Sequence, residues 1–181
     1  MIASSTLTLE TARLKLRPYS NADIAELLPL IGAREVAATT LRIPHPYTEK
    51  DAREFMADSQ NESECRLAIT LRSDGRLIGG IGLRIAPQHK NAELGYWLGV
   101  PYWGKGYATE AAHEMLRYGF EDLRLHRIFA SHFKNNPLSG RILKKLGMHY
   151  EGCQREHVRK WDQFIDSELY GMLRRDWDAA K

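Results

Sequence analysis

Cysteine is nearly absent from the chain. Cys65 and Cys153 stand far apart with no CxxC, which argues against a disulfide framework or a cysteine zinc cage and makes a reducing cytoplasm the simplest compartment. The histidines show no HxxH or HExxH spacing, so none is read as a metal ligand and no metal is expected. Long apolar runs are missing too. No stretch approaches the ~20 residues of a membrane helix, and the opening Met1-Ile2-Ala3-Ser4-Ser5 lacks the basic and apolar regions of a signal peptide. A large excess of one charge is also missing. Lys and Arg total 26 against 23 Asp and Glu, a net of +3, which is too mild for a dedicated nucleic-acid binder. No repeat, low-complexity tract or long Pro/Gly/Ser linker divides the chain.

What is present is ordinary globular material. Hydrophobic residues are 43% and charged residues 27%, which argues against a largely disordered chain. At 181 residues one domain spanning 1–181 is expected, because single cores hold about 100–200 residues. A chain of this size buries roughly 70% of its unfolded surface and needs no metal or disulfide to fold. The charge is uneven. Residues 124–181 carry 12 Lys/Arg and 7 Asp/Glu, whereas residues 1–123 carry 14 and 16. The basic surplus of the last third is either a solvated surface or an attraction for an anionic ligand.

Hydrophobic periodicity gives a coarse element order. Residues 7–17 alternate as a strand, with an irregularity near Ala12 and a stop at Pro18. Ser20 caps a helix with the stripe Ile24, Leu27, Leu28 and Ile31, whose end Pro29 leaves open. Thr48 and Asp51 form a weak capping box for a second, short helix. Residues 67–71 and 77–85 are strands around the hairpin signal Ser73-Asp74-Gly75-Arg76. Residues 92–98 form a further strand. A helix over 107–123 buries Ala108, Ala111, Met115, Leu116 and Phe120. A strand over 128–133, a helix over 137–146 stopped by Gly147, and closing strands over 150–158 and 164–173 complete the chain. Mostly antiparallel strands with helices inserted make the fold class α+β.

The most informative stretch is Leu98-Gly99-Val100-Pro101-Tyr102-Trp103-Gly104-Lys105-Gly106-Tyr107-Ala108-Thr109-Glu110. A strand runs into glycines, and the glycines run into a helix N-terminus. Open N–H groups and the helix dipole favour an anion there, and glycine lets backbone approach a phosphate. The same pattern also serves as a tight turn that binds nothing. The P-loop pattern GxxxxGK[ST] is absent, and the dinucleotide pattern GxGxxG fails at Thr109. What remains is a diphosphate held mainly by backbone.

At Trp103-Gly104-Lys105-Gly106-Tyr107-Ala108-Thr109-Glu110-Ala111 the chain resembles the diphosphate loop of the GNAT superfamily of N-acetyltransferases, whose pattern is Q/R-x-x-G-x-G/A. Trp103 stands where Gln or Arg is usual, and this departure resembles the RimJ/RimL branch of ribosomal-protein N-terminal acetyltransferases. Thr11-Ala12-Arg13-Leu14-Lys15-Leu16-Arg17-Pro18 resembles that branch's opening strand. Asn136-Pro137-Leu138-Ser139 through Lys145-Leu146-Gly147-Met148 resembles its Asn-x-x-Ser…Leu-Gly-Phe segment. Glu151-Gly152, Arg155-Glu156, Asp166 and Tyr170-Gly171-Met172-Leu173 resemble its closing hairpin. The likeness spans about residues 7–177.

The resemblance implies a mixed, mostly antiparallel sheet of six to seven strands flanked by helices. It implies acetyl-CoA as cosubstrate and a primary amine as acceptor, most simply a protein or peptide N-terminus. The alternatives are a small amine (polyamine, amino acid or aminoglycoside), or an acyl-CoA-binding module without chemistry. In the family the strand before the loop carries a bulge and splays from its neighbour. The backbone of Leu98, Gly99 and Val100 would then bond pantetheine and the thioester carbonyl, and Gly104, Lys105, Gly106, Tyr107, Ala108 and Thr109 would hold the diphosphate. Asn136 and Ser139 open the helix that the family places beside the CoA sulfur. Asn136 is also a helix cap, and Ser139 is a candidate partner of the leaving thiolate. The tyrosine that many relatives carry four positions later is Leu143 here. Glu93 and Glu156 are candidate bases, with strand-face salt bridges as the alternative. Residues 33–47, with Arg34, Glu35, Arg42, His45 and Tyr47, would frame the acceptor and show no acidic cluster suited to a polyamine. Exposed strand edges are compatible with a homodimer.

Overall fold

The computed structural model describes residues 7–57 and 63–180, so the opening segment weighed above as a leader lies outside the described residues. Eight strands form one sheet. They are β1 (Leu9–Glu10), β2 (Leu14–Arg17), β3 (Glu64–Leu71), β4 (Leu77–Ala86), β5 (Asn91–Leu98), β6 (Arg127–Phe133), β7 (His149–Lys160) and β8 (Gln163–Leu173). The order across the sheet is β1-β2-β3-β4-β5-β6-β8-β7, and every neighbouring pair is antiparallel except β5 and β6. The helices are α1 (Ile24–Ile31), α2 (Arg34–Ala38), α3 (Glu49–Ala57), α4 (Tyr107–Arg117), α5 (Pro137–Lys145) and α6 (Arg174–Ala179).

The count exceeds six to seven because the opening strand is two strands. The chain reverses between Thr11 and Leu14, where the Thr11 N–H donates to Leu14 O at 2.9 Å and Leu9 comes to face Leu16. The irregularity near Ala12 is thus a turn. Other local signals hold. Gly75 has φ +75° in the β3–β4 turn, and the Thr48 N–H donates to Asp51 Oδ2 at 2.7 Å ahead of α3. Gly147 has φ +81° and ends α5 with Met148 N–H on Leu143 O. α1 runs past Pro29 to Ile31. α2 and α6 have five and six residues, too few for a helical period to show.

Helices cover both faces. On one face Ala108, Ala111, Ala112, Met115 and Leu116 of α4, followed by Phe120, pack on Ile81, Leu83, Leu94 and Ile128. On the other, Ile24, Leu27 and Ile31 of α1 and Ala52 of α3 pack on Ala68 and Leu77. Each fully buried aliphatic or aromatic side chain contributes about 1.5–3 kcal/mol.

The sheet forks at its parallel pair. β5 and β6 pair only from Asn91↔Arg127 to Glu93↔Phe129. Beyond that β5 stays with β4 to Leu98↔Gly79, and β6 stays with β8 to Phe133↔Ser167. β5 keeps a single register against β4 throughout, so the bulge expected there is not present. The opening comes from two strands parting, each held by its other neighbour, with no inserted residue.

Candidate active site

The fork exposes backbone on a predictable alternation. The Gly99 N–H donates to Ile78 O at 2.9 Å, which fixes the phase of the β4–β5 ladder. Leu94, Tyr96 and Leu98 therefore turn their N–H and C=O groups toward the fork. The Leu98 carbonyl accepts the Trp103 indole N–H at 2.7 Å, leaving the Leu98 N–H facing the opening. Trp103, the departure from the family pattern, thus ties the loop to the end of β5. Gly99 serves packing. Its N–H is committed to Ile78, its carbonyl accepts Tyr102 N–H at 2.9 Å, and a Cβ there would lie 2.6 Å from Leu30 Cδ2 of α1.

The glycine loop ends in left-handed backbone, with φ +75° at Gly104 and +81° at Gly106, conformations that side chains strain. Gly106 stands at the cap position of α4, and the first-turn N–H groups of Tyr107, Ala108 and Thr109 have no partner within the helix. Gly104, Gly106, Tyr107, Ala108 and Thr109 all line the cleft, whereas Gly99, Val100 and Lys105 do not. The loop is buttressed from the β1–β2 turn. Arg13 donates from Nε to Glu110 Oε2 at 2.6 Å and from Nη1 to Lys105 O at 3.0 Å, and its guanidinium lies 4.6 Å from the Tyr107 ring centre. Thr11 Oγ1 donates to Glu110 Oε1 at 2.6 Å. Burial would raise the Glu110 carboxyl, but the bonds from Thr11 and Arg13 outweigh it and hold it below its ordinary value. The opening motif was legible only as a strand, yet its Arg13 anchors the loop.

α5 starts on Asn136, whose Oδ1 accepts the Ser139 N–H at 3.4 Å, so Asn136 is a helix cap. Ser139 Oγ lies 2.7 Å from Tyr96 Oη, and both residues line the cleft with Asn136, Arg141 and Lys145. Burial pushes the Tyr96 hydroxyl up to about 12, and the bond to Ser139 acts the other way. Leu143 is fully buried. Tyr96 was missed in the sequence because it shares an alternating face with Leu94 and Leu98 and reads there as core.

The two candidate bases are placed differently. Glu93 lines the cleft, and its Oε2 is shared by Arg84 Nη1 at 3.0 Å and Arg42 Nη2 at 3.6 Å. Arg84 Nε also reaches Glu64 Oε1 at 2.9 Å, and Arg66 Nε donates to Glu64 Oε2 at 2.6 Å. The floor of this side is therefore an alternating ladder of guanidinium and carboxylate. Glu156 does not line the cleft; Gln154, His157 and Val158 do. It has φ +50° within an irregularity of β7, and its N–H donates to Asp166 Oδ1 at 2.9 Å.

The cleft encloses about 2000 Å³. That is roughly twice the ~1,000 Å³ upper range for a single drug-sized ligand, so it accommodates two substrates. Tyr19, Tyr47 and Trp97 wall the side away from α5. The β7–β8 hairpin roofs it, with Lys160 Nζ on Ile43 O at 2.7 Å and Trp161 beside Arg34 and His45. Among the described residues no helix is long and apolar enough to cross a membrane, and no group of three His, Cys, Asp or Glu is placed to hold a metal.

Comparison with known proteins gives this geometry a family. The chain is 33% identical over 132 residues to the uncharacterized N-acetyltransferase YnaD of Bacillus subtilis, covering 73% of this chain and 78% of that one. It is 31% identical over 176 residues to the uncharacterized N-acetyltransferase p20 of Bacillus licheniformis, covering 94% and 98%. The crystal structure of a GNAT-family acetyltransferase from Bacillus anthracis superposes with a TM-score of 0.85 at 26% identity, covering 93% and 99%. Residues 13–149 match the model of the acetyltransferase (GNAT) domain, and the chain belongs to that family of acetyltransferases.

Proposed function

We propose that the chain carries an acetyl group from acetyl-CoA directly to the α-amine of a peptide N-terminus, in the cytoplasm. The carrying observation is the state of Glu93, the one candidate base facing the cleft, whose Oε2 is already shared by two guanidinium groups. An amine attacks only when neutral. At pH 7 about a tenth of α-amines are neutral, against fewer than about one in a thousand lysine-type amines. A site with so engaged a carboxylate suits the acceptor that needs least help. The guanidinium-rich floor is also a poor match for a polycation. In this reading the diphosphate rests on the α4 N-terminus, pantetheine follows the fork, and the Leu98 N–H meets the oxyanion that forms on the thioester carbonyl. Gly99, Val100 and Lys105 support the loop from behind, and Glu156 stands outside the reaction.

One likeness supports the CoA cosubstrate while naming a polyamine acceptor, and a second supports the acceptor proposed here. A spermidine N-acetyltransferase of Vibrio cholerae, solved with CoA and spermine, shares the fold at 22% identity. A ribosomal-protein alanine N-acetyltransferase of Escherichia coli is 33% identical over 49% of this chain. The test is a panel of peptides with varied first residue, set beside spermidine and lysine-type amines, each assayed with acetyl-CoA at pH 7. Peptide α-amines should show the higher kcat/KM by at least about tenfold. A preference for spermidine would sink the assignment of acceptor.

A further inference from the structure

Tyr96 and Ser139 join the two arms of the cleft. Tyr96 lies on β5, Ser139 lies on α5 beyond β6, and their oxygens are 2.7 Å apart. The strand's alternation turns Tyr96 to the α4 side with Leu94 and Leu98, and the Asn136 cap holds Ser139 at the third position of α5. A pair of hydroxyls has one proton between its oxygens and one left over. Among the described residues Ser139 is the only hydrogen-bond partner of the phenol. If Ser139 donated, the phenol proton would be left without a partner on a partly buried side chain; if the phenol donates, both protons are used well.

We infer, granted the acetyl-transfer reading above, that Tyr96 is a positioning residue: it donates to Ser139 Oγ, turns the Ser139 proton into the cleft and aims it at the sulfur from which the acetyl group leaves. The amine lone pair forms the C–N bond, and the C–S electron pair goes to sulfur. The ammonium proton passes to solvent or Glu93, and the thiolate takes a proton from solvent after release. Ser139 and Tyr96 keep their protons throughout. They act by hydrogen-bonding charge as it gathers on sulfur, and the chained hydroxyls polarise one another. The raised Tyr96 pKa, which follows from burial, keeps the phenol a donor across the neutral range. Ser139 thereby does the work of the tyrosine that Leu143 replaces.

CoA itself is the probe, so no acceptor is required. The thiol of bound CoA is titrated by its ultraviolet thiolate absorbance in the wild type, Tyr96→Phe and Ser139→Ala. The wild type should raise the acid dissociation constant of the thiol about tenfold over free CoA. Ser139→Ala should lose this rise and Tyr96→Phe most of it, and by linkage the affinity for CoA in its thiolate form should fall by the same factor. A rise in Tyr96→Phe equal to the wild type overturns the proposal, as does no rise in a wild type that binds CoA. A wild type that binds no CoA overturns the cofactor as well, so the two failures differ. Phenylalanine keeps the packed ring, and Ser139→Ala reads the same bond from a partly exposed helix start, so one unstable variant leaves the test standing.

Discussion

Asp23 is buried yet charged, and its neighbours explain why. Arg17 grips both carboxylate oxygens at 2.8 and 2.7 Å, and the Ser20 N–H adds a bond at 2.7 Å. Burial would raise this carboxyl, but the Arg17 and Ser20 bonds outweigh it and hold it below the usual range. A carboxyl depressed on folding adds stability above its unfolded pKa and loses it as pH falls through the folded one. Asp23→Asn should therefore cost about 2–3 kcal/mol at pH 7, and the gap to the wild type should narrow below about pH 4. Urea unfolding at pH 7 and pH 3.5 checks this; a gap independent of pH would contradict it. Residues whose local geometry is written in local pattern were legible: the left-handed Gly106, the Asn136 cap and the Asp74-Gly75 turn. Tyr96 and Arg13 were not, because each acts on a partner distant in sequence, respectively Ser139 and Glu110, and Arg42 was expected near the cleft but without its partner Glu93. The position of Glu156 outside the cleft lining was hidden for a related reason. Alternation along β7 breaks between Gln154 and Val158, so counting by twos no longer tells which side chain faces the cleft.

At the scale of elements, α5 matters through how closely it lies on β6. Gly140 makes this possible, since a Cβ there would come 2.7 Å from the Nε2 of buried His132. Gly140→Ala should destabilise by about 1–3 kcal/mol and weaken CoA binding by displacing Ser139, Arg141 and Lys145 together. Denaturant unfolding and calorimetry measure the two effects, and an alanine variant as stable as the wild type would show that the contact yields freely. Ser139 and Leu143 lie one turn apart on this helix. Leu143 faces the core, so a tyrosine there would be inside the packing, whereas Ser139 at the helix start lines the cleft. Long periodic elements such as α4 were plain in the sequence. The β1–β2 turn was legible only as an irregularity near Ala12, because the phase shift between Leu9 and Leu14 is equally the mark of a bulge within one strand.

At the scale of the molecule, the cleft rests on an incomplete pairing. β5 and β6 share three residue pairs and then part, each still bonded to its outer neighbour, so the opening sacrifices no strand and sits between two covered faces. No local pattern in either strand marks where the pairing stops; the fork was expected through family resemblance alone. The glycine loop, Arg13 and Glu110 close one end of the opening, α5 lines one side, and the Arg–Glu ladder floors the other. Basic residues of the last third contribute Arg141 and Lys145 to the cleft, so part of the uneven charge has a place to act. The central claim is that this fork with its glycine loop is the acetyl-CoA site. Calorimetric titration of acetyl-CoA into the wild type and into Gly106→Glu tests it most directly, with thermal unfolding as the check that both are folded. The account predicts saturable one-to-one binding by the wild type and its loss in the variant, where a carboxylate meets the diphosphate on strained backbone; no binding by the wild type, or undiminished binding by the variant, would contradict it.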